Sequence, residues 1–465
     1  MTWHFRLGRG AVALVASAVV GGPAAVDAAG ATPLDTTFGS AGLVRLPVSV
    51  PNCAASFADL VRQPDGSLVA AGTGNLLTLA RWNTRGQLRR RRAYPCTDDS
   101  RTSGVPLEPA ALLRRYDGSL MAAGRAVQYV SRGQDQRLQS TFSIGQFDSR
   151  FGIAAGFGVA GIARPDLPGD EEGARALVQA PGRGVLAGGY AQSEGQWRWA
   201  LVQTSANGRT DSRFGSGGSV LTAFPGTTDR VRNDIGAPPA RTAVNALARQ
   251  RDGRVVGVGT VVDGRSGRPR TAVARYLADG RLDSSFGGGD GLVVLPLPSI
   301  QSRGFAVGLQ GRAAQSILIA GALGDPTNGR AGFFVARLRM NGTPDRRFGT
   351  SGVTALRIRS RGATDLALTR SGRIAVAGSV RGRMAVARLT ANGRLDRTLA
   401  GGIVCASNRF DLAGGSPYPE TDRVSVVSGP SGKLTVAQAM DGPGSDDVTW
   451  VLARFKATAR AAGGC

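Results

Sequence analysis

The sequence predicts an all-β chain: a single seven-bladed β-propeller of four-stranded antiparallel blades, its ring closed by the N-terminal strand. Three observations predict it. A strand-turn-strand unit recurs from end to end, its strands are joined by tight Gly turns, and the two chain ends carry complementary parts of one unit.

The unit is clearest from Thr271 to Leu297, TAVARYLADGRLDSSFGGGDGLVVLPL. An apolar strand with an Ala-Arg pair enters an Asp-Gly turn, an Asp-x-x-Phe-Gly step follows, and Gly opens a second apolar strand. The Phe-Gly step stands at Phe38, Phe151, Phe214, Phe286 and Phe348, with a degraded form at Leu399-Ala400. Arg85 to Ala93 fills the remaining place without the Phe. Ala-Arg-type strands begin at Leu76, Thr141, Arg198, Thr271, Phe333, Arg383 and Val448. Small-residue strands follow turns at Asp65, Asp117, Gly182, Asp252, Ala314, Ser371 and Ser431. Each tally reaches seven.

Residues 1–28 precede the first unit. Arg6 and Arg9, the apolar run from Ala11 to Val20 and the small residues after it have the pattern of a secretory signal peptide. The run is too short to cross a bilayer as a helix, and no transmembrane segment is expected after signal removal. Residues 29–465 then form one domain, because the repeats run throughout and no Pro- or Ser-rich linker breaks them. The formal charge of +24 is carried almost wholly by Arg, which reads partly as a coding bias, yet such a surface attracts polyanions.

Turn chemistry orders the strands. With a the Gly-opened strand, b the next, c the small-residue strand and d the Ala-Arg strand, b-to-c and d-to-a are joined by Asp-Gly, Asn-Gly or Ser-Gly turns, the strongest short signal for hairpins. The a-to-b links vary in length and are the expected crossovers. Each blade is then b-c-d-a with b innermost. The lone a strand at Gly42 to Val48 should pair antiparallel with the lone d strand at Val448 to Lys456.

This motif set resembles the delta-60 repeat, an uncharacterised bacterial β-propeller repeat, over nearly the whole mature chain. The match is weaker at 49–150, where Arg89 to Arg92 replace the Phe-Gly step. The resemblance implies a secreted or cell-surface propeller, exported to the periplasm or cell exterior. It lends no catalytic residues.

Cys53, Cys96, Cys405 and Cys465 form an even set in a chain expected to be exported, which favours disulfides. The preferred pairing is Cys53 with Cys96 and Cys405 with Cys465. A zinc site made of all four lacks any Cys-x-x-Cys pair. His4 is the sole histidine and leaves with the signal. Ser-His-Asp triads, Cys-His dyads and imidazole metal sites are thereby excluded, whereas paired carboxylates remain sufficient for glycoside chemistry.

The repeated aspartates, Asp35, Asp148, Asp211, Asp283, Asp345 and Asp396, are expected to cap their turns rather than bind calcium. The Phe of each step should pack between blades, and the recurring strand Arg should make blade-to-blade or solvent contacts. Irregular loops, Ala126 to Ser140 among them, should gather on one face, and Arg-loaded turns, including Arg89 to Arg92, on the other. The candidate ligand residues lie in those loops: Asp98, Asp99, Asp170, Glu171, Glu172, Asp229, Arg230, Arg232, Asn233, Asp234, Arg409, Asp411, Tyr418, Asp446 and Asp447.

Seven similar blades without a recognisable catalytic set read as a non-catalytic binding or scaffold protein, more a non-enzyme than an enzyme, monomeric and without cofactor or catalytic metal. Its expected partner is a polysaccharide or another cell-envelope component, with no specific nucleic acid. The second reading is a carboxylate-dependent carbohydrate-active enzyme, of glycoside hydrolase or lyase type, at the channel mouth. Acidic residues converging there would favour the enzyme, and an apolar channel the binder.

Overall fold

A computed structural model describes residues 32–48, 56–73, 77–94, 107–132, 135–169, 171–193, 196–228, 242–299, 301–311, 316–326, 329–406, 423–441, 448–459 and 465. The chain opens with β1 (Leu43–Pro47). A first sheet follows of β2 (Asp59–Arg62), β3 (Leu68–Gly72), β4 (Leu77–Trp82) and β5 (Leu88–Tyr94). The second is β6 (Glu108–Arg114), β7 (Leu120–Arg132), β8 (Asp135–Phe147) and β9 (Ile162–Ala163). The third is β10 (Glu172–Gln179), β11 (Val185–Ser193), β12 (Gln196–Thr204) and β13 (Ser219–Thr222). The fourth is β14 (Ala243–Arg249), β15 (Val255–Val262), β16 (Pro269–Tyr276) and β17 (Leu292–Val294).

The next sheet has seven strands: β18 (Ser302–Gln310), β19 (Ser316–Leu323), β20 (Ala331–Leu338), β21 (Val353–Leu368), β22 (Ile374–Val380), β23 (Arg383–Leu389) and β24 (Ile403–Cys405). The last is β25 (Ser425–Ser428), β26 (Leu434–Asp441) and β27 (Val448–Phe455), to which β1 adds as the fourth strand. Leu43 to Pro47 pair antiparallel with Ala453 to Thr449.

All ladders between consecutive strands are antiparallel, as the Gly turns require. The expected set of seven separate blades in a closed ring is corrected. The described strands form six sheets, five of four strands and one of seven, and none closes on itself into a ring. The cause is the a-to-b link at 357–362. It is short and Pro-free, so the chain stays extended from Val353 to Leu368. β21 pairs with β20 through its first half and with β22 through its second, bending at bulges around Gly362, whose φ is +94°. Links that contain Pro, such as those described over 164–169 and 295–299, leave the ladder instead. Two smaller corrections follow. The segment 126–140 is no irregular loop, because β7 and β8 pair continuously down to Arg132 and Asp135. Arg89 to Arg92 are not turn residues; they lie on β5.

The core lies between sheets. One cluster joins Leu186, Trp199 and Leu201 of the third sheet to Val244, Ala272 and Tyr276 of the fourth. Another joins Leu68 and Trp82 of the first to Trp450 and Leu452 of the last. The c-type strands β3, β15 and β22 are buried along their whole length. Small residues serve a close approach there: a Cβ on Gly259 would stand 1.9 Å from the Ala243 carbonyl oxygen, beside the bulge at Val244/Ala246.

The Asp-x-x-Phe-Gly step latches one unit to the next. The Asp283 carboxylate accepts from the Ser285 backbone N–H at 3.0 Å and, through Oδ2, from Arg275 Nε at 2.7 Å. Arg275 also donates to the Met340 carbonyl of the following unit and lies 4.7 Å from the centroid of Phe286. Arg337 repeats this with Asp345, the Ala391 carbonyl and Phe348. Arg388 does so with Asp396 and the Ala457 carbonyl. The aspartates therefore cap turns, the rings are buried, and the recurring Arg makes contacts between units.

Cys405 and Cys465 form a disulfide, tying the C-terminal residue to β24. Cys53 and Cys96 lie outside the described residues, as does the 1–28 segment. No helix among the described residues is long and apolar enough to cross a membrane.

Candidate functional site

The first strand of each unit is its innermost, and these strands touch in succession: β2 meets β6, β6 meets β10, then β14, β18, the second half of β21, β25, and β2 again. Most are bulged near their start, where one residue is left unpaired and its side chain is re-aimed. Just after that point, facing the residues that precede Gly124, Gly189, Gly259 and Gly321, stand Ala111, Ala176, Ala246 and Ala306 in four units. In the other three the same place holds Asp59, Asp365 and Ser425. Those three units adjoin in the order β21, β25, β2, so the two aspartates flank Ser425 of β25.

Their contacts run from strand to strand. Asp365 accepts from its neighbour Leu366 N–H at 2.7 Å and, on Oδ2, from Val426 N–H of β25 at 2.7 Å. Ser425 Oγ donates to Asp59 Oδ1 at 3.2 Å. Asp59 in turn accepts from Leu60 N–H at 2.8 Å and from Leu112 N–H of β6 at 3.0 Å. Arg423, just before β25, donates to the Ala110 carbonyl at 2.8 Å. A second arc is built of amide and guanidinium groups. Arg175 Nη1 donates to Asn245 Oδ1 at 3.0 Å, and Asn245 Nδ2 donates to the Gly304 carbonyl at 2.8 Å.

Burial raises the Asp365 carboxyl, and repulsion from Asp59 raises it further. The Arg423 charge and the two backbone N–H donors oppose both, and the carboxyl settles at about 7. Asp365 is half-buried between the inner strands β18 and β25 that flank its own. A carboxyl titrating there can give or take a proton near neutrality.

Glu172 opens β10 at the loop-facing end of the same axis and is 4% exposed. Burial pushes its carboxyl up to about 8, the Asp166 charge adds to this, and backbone N–H groups of Phe142 and Leu167 oppose it. Its Oε2 has no hydrogen-bond partner among the described residues. Around it Arg125 Nε donates to Glu108 Oε2 at 2.8 Å, and the Arg175 guanidinium lies 5.1 Å from the Tyr190 ring centroid. Tyr190 packs on Trp197 with centroids 5.7 Å apart.

Of the loop residues singled out from sequence, Glu171 and Glu172 are described. Glu171 is half-buried and accepts from Gln192 N–H through its carbonyl at 2.8 Å. Asp98, Asp99, Asp170, Asp229, Arg230, Arg232, Asn233, Asp234, Arg409, Asp411, Tyr418, Asp446 and Asp447 lie outside the described residues. Sequence reasoning missed Asp59, Asp365, Arg423, Arg175 and Asn245. The signal was present: aligned on their turns, the inner strands show alanine in four units where Asp59 and Asp365 interrupt it.

A family model described as a domain of unknown function (DUF5122) beta-propeller matches residues 250–286, 316–348 and 370–399. The fold is β-propeller-like. The match spans well under half of the chain. No curated protein matches significantly. Similar solved structures include a virginiamycin B lyase from Staphylococcus aureus, 11% identical with a TM-score of 0.45, over 88% of this chain and 99% of that one. A polysaccharide lyase is 10% identical with a TM-score of 0.45, over 86% and 90%. The PQQ domain of a pyranose dehydrogenase from Coprinopsis cinerea is 9% identical with a TM-score of 0.35, over 88% and 95%.

The expectation of a non-enzyme is corrected. It rested on the absent histidine and on the sameness of the blades. The sameness breaks at the inner strands, where Asp59 and Asp365 stand on units either side of β25.

Proposed function

We propose that the chain, an exported protein built of delta-60-type repeats, is a carboxylate-dependent carbohydrate-active enzyme of glycoside hydrolase or lyase type. The observation that supports this best is the placing of Asp59 and Asp365 on inner strands either side of β25, at positions where four other units carry alanine, with the Arg423 charge felt by Asp365. Two carboxyl groups are the minimal apparatus for glycosidic bond cleavage in a chain whose one histidine, His4, precedes the first repeat unit. Asp365 exchanges the proton, Asp59 is the second carboxylate, and Arg423 offers a fixed cation to an oxygen or carboxylate of the sugar. The substrate enters from the loop face, where Glu172, Arg125, Tyr190 and Trp197 lie.

The test is product release from a panel of neutral and uronate-containing glycans, followed through new reducing ends and through the ultraviolet absorbance of unsaturated products. The full chain should cleave at least one glycan, and Asp365→Asn should lower the rate by about 100-fold or more with the fold retained. No cleavage of any panel member by the wild type, or wild-type rates retained in Asp59→Asn and Asp365→Asn, would reject the reading.

A further inference from the structure

The outer edge of the first sheet is unlike the others. Outer strands β9, β13, β17 and β24 are two to four residues long and uncharged, β1 carries Arg45 alone, and the outer half of β21 carries Arg357 and Arg359 separated by Ile358. β5 has seven residues, LRRRRAY, and every one before Tyr94 is exposed. Arg90 faces Arg81 and Trp82 faces Leu88, so Arg89 is the extra residue of a bulge that turns its side chain away from the ladder. Arg90 and Arg92 lie toward the second sheet and Arg91 toward β1. Arg90 Nη1 reaches the Arg150 carbonyl at 3.5 Å and Arg91 Nη1 the Pro47 carbonyl at 3.1 Å. Arg89 Nη2 donates to Gln87 at 3.2 Å, and Arg92 sits 5.1 Å from the Tyr94 ring centroid. These partners are neutral; no ion pair among the described residues involves any of the four.

A charge on an edge strand deters strand addition, and one or two suffice. Four adjacent guanidinium groups with no ion pair among the described residues repel one another, which edge protection does not require. We propose that β5 is a binding strip for a linear acidic polysaccharide, laid along the strand with its carboxylate or sulfate groups on the two rows of arginine. Same-face side chains recur at about 7 Å, and the guanidinium fork pairs two-pronged with carboxylates. Single-stranded nucleic acid is disfavoured because the strip offers no ring for base stacking: Tyr94, the aromatic residue of β5, is 6% exposed. The strip stands on the rim, apart from the axis, and binds whether or not the axis is catalytic.

The test is titration of the full chain with polygalacturonate, with neutral dextran and duplex DNA as comparisons. Replacing Arg89, Arg90, Arg91 and Arg92 by Gln should weaken polygalacturonate binding at least about 10-fold and flatten its salt dependence by about 2 or more in log–log slope. A charge-matched variant with Arg209, Arg346, Arg347 and Arg394 changed to Gln should stay within about 3-fold of wild type. The milder pair Arg90→Gln and Arg92→Gln, which strips one face only, should lose about 3-fold or more and serves if the fourfold variant does not fold. Equal losses in the two fourfold variants, no loss on stripping β5, or duplex DNA bound as tightly through the same arginines would overturn the proposal.

Discussion

The Arg275–Asp283 pair shows how strongly one contact depends on where it sits. Both side chains are at most 5% exposed. Burial alone would raise Asp283, but hydrogen bonds from Ser285 and the Arg275 and Arg254 charges hold it below the ordinary carboxylate range. Removing the acid strands a buried guanidinium, so Asp283→Asn should cost about 3–5 kcal/mol in urea unfolding. Arg213, 89% exposed, pairs with Asp211 in the same motif. There Arg213→Ala should cost less than about 1 kcal/mol. Asp365 has the opposite sign to Asp283. Its folded value, about 7, lies above the unfolded 3.8, so the folded state holds its proton more tightly. Stability from this group is whole below about pH 4, falls as pH rises toward 7, and is constant above. The wild type should therefore lose roughly 1–3 kcal/mol between pH 4 and 8 relative to Asp365→Asn, a figure discounted for its access to solvent. Parallel slopes in the two proteins across that window would show that Asp365 is not perturbed.

Among elements, the bulge of an inner strand and the Gly of the strand beside it depend on each other where both occur. Gly378 would place a Cβ 2.2 Å from the Gly362 carbonyl oxygen and 2.7 Å from Phe333. Gly378→Ala should cost roughly 2–4 kcal/mol because the contact is with backbone that cannot retreat. Gly156→Ala meets nothing within 4 Å and should change stability by less than about 0.5 kcal/mol. The C-terminal clasp is an element too. The Cys405–Cys465 bond spans 60 residues of sequence, and Cys465→Ser should cost about 2–4 kcal/mol, read as a lowered urea midpoint at unchanged slope.

At the scale of the molecule, the strand order b-c-d-a and the pairing of β1 with β27 were legible because both follow from turn chemistry, which is local. The joining of two units through β21 was not. It depends on whether a five- or six-residue link stays extended, and Arg357 to Gly362 carry no strand or turn signal strong enough to decide that. The axial carboxyls were hidden for a different reason. Attention to what repeats selects the latch residues Arg275, Asp283 and Phe286, which hold units together, whereas a site unique in the chain must sit where repetition fails. Asp59 and Asp365 are such failures, each alone in its unit and distant in sequence. Glu172 was found from sequence as part of an acidic loop cluster, but its burial, with Oε2 unpartnered, follows from the packing of Phe142 and Leu167 around it.

The pH dependence of glycan cleavage tests the central claim most directly, since it asks whether the carboxyl at the axis does the proton transfer. The wild-type kcat/KM should show a limb near pH 7 set by Asp365. Asp365→Asn should abolish that limb and lower the rate at its optimum by about 100-fold, while Glu172→Gln, at a carboxyl held near 8, should leave the limb in place. A wild-type profile flat from pH 5 to 8, or a limb near 7 that persists in Asp365→Asn, would contradict the account.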